Sequence, residues 1–242
     1  MPSILNRLSC LLVASIGAFS TPVHADLSIF PIKLFITGDN GQRTTTMNVV
    51  SSKDEPPQSY EVNVFRWTQD DQGHERLTPD TELMVNPLSF ILEPNSKRII
   101  RMGFKQPLAS MQLQEEAAWR IIFSPLPDAK EATGLKYTYS FNVPLFAGKN
   151  FKPDMSFQLA KNNKNQPVLL AKNSGTAHFQ ITGFKLQDTA GKDIFNSKEL
   201  KYVLPHKQVS FDLNTLPAKP YTNLKLIVQT AGTETLQFDV AE

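Results

Sequence analysis

The sequence predicts an all-β chain built as two immunoglobulin-like β-sandwich domains in tandem. Three observations carry that expectation. Apolar and polar residues alternate with period two, turn formers interrupt them at short intervals, and the spacing yields about seven short strands in each half of the 242 residues.

The elements follow in order. Residues 1–25 read as a secretory signal peptide: Met1 to Arg7 is basic, Leu8 to Phe19 is apolar, and Val23-His24-Ala25 supplies a cleavage site. The first sandwich, 26–147, is expected to hold strands at 27–36, 43–50, 58–69, 83–86 with 90–92, 97–104, 118–123 and 135–146. Asp39-Asn40-Gly41, Asp70-Asp71-Gln72-Gly73 and Glu93-Pro94-Asn95 supply turns. Residues 107–116 have helix-favouring composition but are short enough for a loop. A hinge is expected at 148–152, where Gly148-Lys149-Asn150-Phe151-Lys152 breaks the alternation. The second sandwich, 153–242, is expected to hold strands at 155–160, 168–172, 178–186, 200–204, 208–213, 224–229 and 235–240. The last two are expected to form a hairpin, with Leu224, Leu226 and Val228 on one strand, Leu236, Phe238 and Val240 on the other, and Gly232 in the turn.

Composition excludes more than it selects. The single cysteine, Cys10, lies in the leader, so residues 26–242 carry no thiol for a disulfide, a metal or a nucleophile. The two halves carry net charges of −3 and +4, and neither holds the dense basic stripe of a nucleic-acid binder. Beyond the leader no run approaches the ~18 apolar residues of a membrane-spanning helix. The sequence lacks Gly-x-Ser-x-Gly, a phosphate-cradling glycine loop and His-Glu-x-x-His, and its histidines, among them His178 and His206, lack ligand spacing. The adjacent pairs Asp70-Asp71 and Glu115-Glu116 point to opposite faces of an extended strand and read as solvated charges. No enzyme activity, cofactor or metal site is expected.

The segment 135–146 stands out. Its length exceeds the usual five or six residues, and at about 3.4 Å per residue it would extend ~40 Å. Leu135, Tyr137, Tyr139, Phe141, Val143 and Leu145 share one face; Lys136, Thr138, Ser140 and Asn142 share the other. Coverage by the chain's own core is one reading of that row. The other is an apolar edge for a partner: three to five large side chains at ~1.5–3 kcal/mol each give roughly 5–15 kcal/mol of gross burial energy. A partner that accepts an added strand would use it, with backbone hydrogen bonds for affinity and alternate side chains in pockets.

Several stretches carry a resemblance. Val64-Phe65-Arg66-Trp67-Thr68-Gln69, then Leu77-Thr78-Pro79-Asp80-Thr81-Glu82-Leu83-Met84-Val85-Asn86-Pro87, then Phe90-Ile91-Leu92-Glu93-Pro94 with Arg98-Ile99-Ile100-Arg101, resemble the first domain of periplasmic pilus-assembly chaperones of the chaperone–usher pathway, archaic-type branch. Leu27 to Leu34 and Ala118 to Phe123 are similar to that family's first and sixth strands. The resemblance covers about residues 27–147.

It implies a boomerang-like pair of sandwiches with an interdomain cleft, and donor-strand complementation. Leu135, Tyr137, Tyr139, Phe141 and Val143 would form the donor strand, placed in the open groove of a pilus subunit before delivery to an outer-membrane usher. The family also anchors the subunit's C-terminal carboxylate with two basic residues in the cleft. Lys33 matches the first position. Pro144 falls where the second is expected, and Arg120 on the adjacent strand is the replacement candidate, since a carboxylate in a partly dry cleft needs a charge-assisted partner. The partners implied are pilus subunits and an usher, in the periplasm; self-association of an empty molecule is left open. The alternative class is a structural surface protein, a pilin-like or adhesin sandwich.

Overall fold

Proline 31 divides the first predicted strand in two. In the computed structural model, which describes residues 27–54, 56–127, 139–216, 221–232 and 234–241, β1 (Leu27–Phe30) and β2 (Leu34–Ile36) lie in different sheets. Proline has no N–H to offer a ladder, so the chain leaves one sheet there and enters the other.

Eight further strands complete the first sandwich: β3 (Thr44–Ser51), β4 (Gln58–Gln69), β5 (Glu75–Pro79), β6 (Leu83–Asn86), β7 (Ser89–Leu92), β8 (Lys97–Phe104), β9 (Ala117–Pro125) and β10 (Phe141–Ala147). One sheet runs β1-β3-β8-β6; the other runs β2-β10-β9-β4-β5, with β7 also on β4. Their inner faces meet over Met47, Ile100, Met102, Trp119, Ile121 and Leu145, each under 2% exposed. Period-two alternation makes this possible, because each strand turns one row inward and the other outward.

The second half forms β11 (Met155–Lys161), β12 (Pro167–Asn173), β13 (Phe179–Ile181), β14 (Gly183–Gln187), β15 (Asp193–Ser197), β16 (Lys201–Val203), β17 (Gln208–Asp212), β18 (Lys225–Gln229) and β19 (Thr235–Ala241). Seven strands run in the order β15-β14-β18-β19-β11-β12-β17, and β13 pairs with β16. The expected hairpin is present as β18–β19, with Leu226 opposite Phe238 and Val228 opposite Leu236. Its core gathers Phe157, Phe184, Leu186, Phe211, Leu226 and Val228.

Differences from the sequence expectation have local reasons. β5 is exposed at every residue and pairs only at the sheet edge, so it carries no alternation to detect. β15 lies at the edge of the seven-stranded sheet with no fully buried residue. The predicted strand 178–186 breaks at Thr182, where the chain passes from β13 to β14. Residues 107–116 contain a short 3-10 turn, Leu108–Met111. The long strand 135–146 appears as β10 from Phe141 onward; 128–138 lie outside the described residues.

Burial depth sets the first prediction. Ile121→Ala, at a side chain with no exposure, should lower unfolding free energy by about 2–5 kcal/mol in guanidinium titration. Ile99→Ala, at a position 56% exposed, should cost less than about 1 kcal/mol in the same measurement.

Candidate functional site

The outward face of the sheet β2-β10-β9-β4-β5 builds the site. In β10, Val143, Leu145 and Ala147 face the first core, so Pro144 and Phe146 face the other way. Leu34 pairs with Leu145 in parallel, which sets Lys33 level with Pro144; Pro144 in turn pairs with Arg120 of β9. Lys33, Pro144 and Arg120 therefore form one row across three strands. At ~4.8 Å per strand the two cations start about 10 Å apart at the backbone, with a neutral proline between them.

The second sandwich covers part of this face. Trp67, Ala118 and Phe146 pack with Leu204 in a small separate apolar cluster, and Tyr202 joins its rim. The Phe146 ring lies flat on His178, centroids 3.5 Å apart with planes 4° off parallel. Trp67 meets the edge of Tyr202 at 5.3 Å. Gln69 at the end of β4 spans the junction with both ends of its amide: the Leu204 N–H donates to Oε1 (2.9 Å), and Nε2 donates to the Tyr202 carbonyl (2.8 Å). Glu116 accepts the His178 N–H (2.8 Å) and lies against His178 Nδ1, while its own N–H donates to the Thr176 carbonyl (2.8 Å). Glu116 is thus half of a nearly buried polar junction, not the solvated charge the sequence suggests.

Both anchor candidates lie on this face. Arg120 is 8% exposed, with its guanidinium carbon 3.6 Å from the Trp67 ring centroid and 5.5 Å from that of Tyr202. Its Nη2 donates to Glu75 Oε1. Such stacking holds a planar cation in place at low solvation. Lys33 Nζ donates to Gln180 Oε1 of the second sandwich (2.8 Å) and lies 5.7 Å from the Phe35 ring. Burial pulls the Lys33 pKa below its ordinary value, and the Glu116 carboxylate opposes that shift. A cleft of about 290 Å³ opens beside Arg120, bounded by Gln69, Glu75, Leu200 and Tyr202.

The donor-strand residues divide. Leu135 and Tyr137 lie outside the described residues. Tyr139 is 74% exposed, and Phe141 is partly buried against the first core. Val143 is 4% exposed and belongs to that core. Val143 is therefore corrected from the donor row to the chain's own interior: opposite Ile121 in the β9 ladder, it is sealed between the sheets.

One edge is open. β9 pairs with all seven residues of β10, but β2 covers only Leu145, Phe146 and Ala147 on the other side. From Phe141 to Pro144 that second side has no partner strand among the described residues. Edges of this kind are templates for another strand.

Sequence reasoning missed Gln69, Glu75, Glu116, His178 and Gln180 as members of the site. Their contacts join residues 45 to 147 positions apart, such as Arg120 with Glu75 and Lys33 with Gln180, so no local spacing announces them. Among the described residues, no metal-binding group assembles, and no helix is long and apolar enough to cross a membrane.

Two joined sandwiches carry a cation-bearing cleft and an open strand edge, and solved structures narrow the fold. No family model and no curated protein matches the chain. It is similar to a chain of the CsuC–CsuE chaperone–tip adhesion subunit pre-assembly complex from archaic chaperone–usher Csu pili of Acinetobacter baumannii, with a TM-score of 0.65 and 18% identity over 90% of this chain and 99% of that one. It is also similar to the E. coli chaperone DraB, with a TM-score of 0.58 and 18% identity over 88% and 94% of the two chains. For the periplasmic chaperone SfaE the TM-score is 0.56 and the identity 11%, over 89% and 100%. The chain has the two-sandwich fold of the periplasmic chaperones that serve pili.

The junction generates its own prediction. Gln69→Ala leaves the Leu204 N–H buried without its acceptor and should cost about 1–3 kcal/mol of stability in denaturant unfolding. Gln69→Glu keeps an acceptor for that N–H but sets a buried carboxylate oxygen against the Tyr202 carbonyl, and should lose at least as much as the alanine variant in the same assay.

Proposed function

We propose that this protein is a non-enzymatic periplasmic chaperone for pilus subunits, exported by its leader, 1–25. It holds a subunit by strand addition and passes it to an outer-membrane usher. The observation that carries the reading is the free side of β10 from Phe141 to Pro144, next to a Tyr139 that is 74% exposed. A subunit strand added there would gain backbone hydrogen bonds from the extended chain and pockets filled by Leu135, Tyr137, Tyr139 and Phe141. Support also comes from the fold, since the similar chains include one from a chaperone–tip adhesion subunit complex. A structural surface pilin or adhesin is the reading this displaces, because the solved chains matched over nearly their whole length include the chaperones DraB and SfaE.

In this proposal Lys33 and Arg120 hold the subunit's C-terminal carboxylate. The support is their shared row, their partial or near-complete burial and their place on the cleft face. A partly dry cation discriminates strongly in favour of an anion that replaces its lost water.

Two measurements test these roles. Tyr137→Glu with Tyr139→Glu should abolish co-purification of a subunit from periplasmic extract; undiminished recovery would refute strand addition. Lys33→Ala with Arg120→Ala should weaken subunit capture by roughly tenfold to a hundredfold, as expected for charge-assisted hydrogen bonds of ~1.5–3 kcal/mol. Unchanged capture would reject the anchor and leave strand addition standing.

A further inference from the structure

The Arg120–Glu75 pair is asymmetric in a way that bears on how the cleft is emptied and filled. Arg120 is fixed by Trp67 and Tyr202, and its side chain is 10% exposed; that of Glu75 is 44% exposed. Glu75 also sits at the start of β5, the solvent-exposed edge strand, held only by β4. The guanidinium is the packed member of the pair, and the carboxylate is the solvent-facing one.

The bond between them is incomplete. A guanidinium holds a carboxylate best through two parallel N–H donors, and Nε with Nη2 forms one such fork. Glu75 engages Nη2 through Oε1, whereas the Nε–H is buried and has no acceptor among the described residues. A bidentate carboxylate site is thus engaged at only one of its two N–H groups, by a half-exposed side chain. The pair borders the ~290 Å³ cleft, so an incoming carboxylate has an approach to the same guanidinium.

We infer that Glu75 is an internal stand-in for the client's terminal carboxylate. It neutralises Arg120 while the cleft is empty and yields to a chain-terminal carboxylate that can take both N–H groups. Because a nearly buried unpaired guanidinium is costly, the stand-in keeps the empty cleft folded. It also sets a threshold, since any carboxylate must outcompete Glu75 before it is held. This role rests on the reading of Arg120 as the client anchor.

The test uses the full chain, labelled with ¹⁵N and titrated with the peptide acetyl-Ala-Val-Ala-Val-Tyr as its free acid and as its C-terminal amide. Binding is followed at the Arg120 Nε–H resonance, identified by its loss in Arg120→Gln, and at backbone amides of β9 and β10. Glu75→Gln should bind the free acid about three- to tenfold more tightly than the unaltered chain, with no gain for the amide. Glu75→Asp, which shortens the reach by one methylene, should move the same way by less, and covers the case in which Glu75→Gln fails to fold. Equal or weaker acid binding in the folded variants, or an equal gain for the amide, would overturn the inference. If Arg120→Gln abolishes the preference for acid over amide while Glu75 substitution leaves it unchanged, the stand-in role fails alone. A preference that survives Arg120→Gln sinks the anchor reading together with the inference.

Discussion

Strand β10 works because both of its faces are used. Val143, Leu145 and Ala147 fill the first core, while Pro144 and Phe146 meet the second sandwich. Side-chain direction alternates with a period of two, so a slip of one residue would put the core row against the cleft and expel Phe146 from its stack. The buried rows on each side therefore lock the register. From that lock follow the level of Lys33 opposite Pro144 and the pairing of Pro144 with Arg120.

The covering of this sheet also explains the chemistry of the cleft. Trp67 and Tyr202 shield Arg120 from water, and Gln180 reaches across to Lys33. Arg120 thus borders the cleft with little water around it, and Lys33 lies partly buried on the same sheet face. Asn173, fully buried, ties the adjacent corner of the second sandwich: its Nδ2 donates to the carbonyls of Ala177, Val203 and Leu204, and its Oδ1 accepts from Asp154 and Gly175. A buried amide with its donors and acceptor engaged fixes local geometry more firmly than apolar packing of the same volume.

The strands whose inner rows are apolar were legible in the sequence. β4, β6 and β8 fall at the expected bounds because Val62, Val85 and Ile100 belong to inward apolar rows flanked by more exposed residues. What the alternation could not carry was anything at an edge or across the junction. β5 shows no buried residue to betray it, and the break of the first strand falls at Pro31, where β1 ends and the chain crosses to the other sheet as β2. In the site, Lys33 and Arg120 were reached through family resemblance. Gln69, Glu75 and His178 acquire their roles only when chain segments far apart in sequence meet. The misplacement of Val143 has the same root: one row of alternating apolar residues serves the interior at one end and solvent at the other, and alternation does not mark where the change occurs.

The flat contact of Phe146 with His178 has a mechanical consequence. Parallel rings 3.5 Å apart retain most of their dispersion attraction when displaced sideways by a fraction of an ångström, and lose it quickly when lifted apart. Gln69 and Glu116, bonded on either flank of the stack, limit how far such gliding can run. The seam between the two lobes thus resists separation more strongly than small lateral sliding.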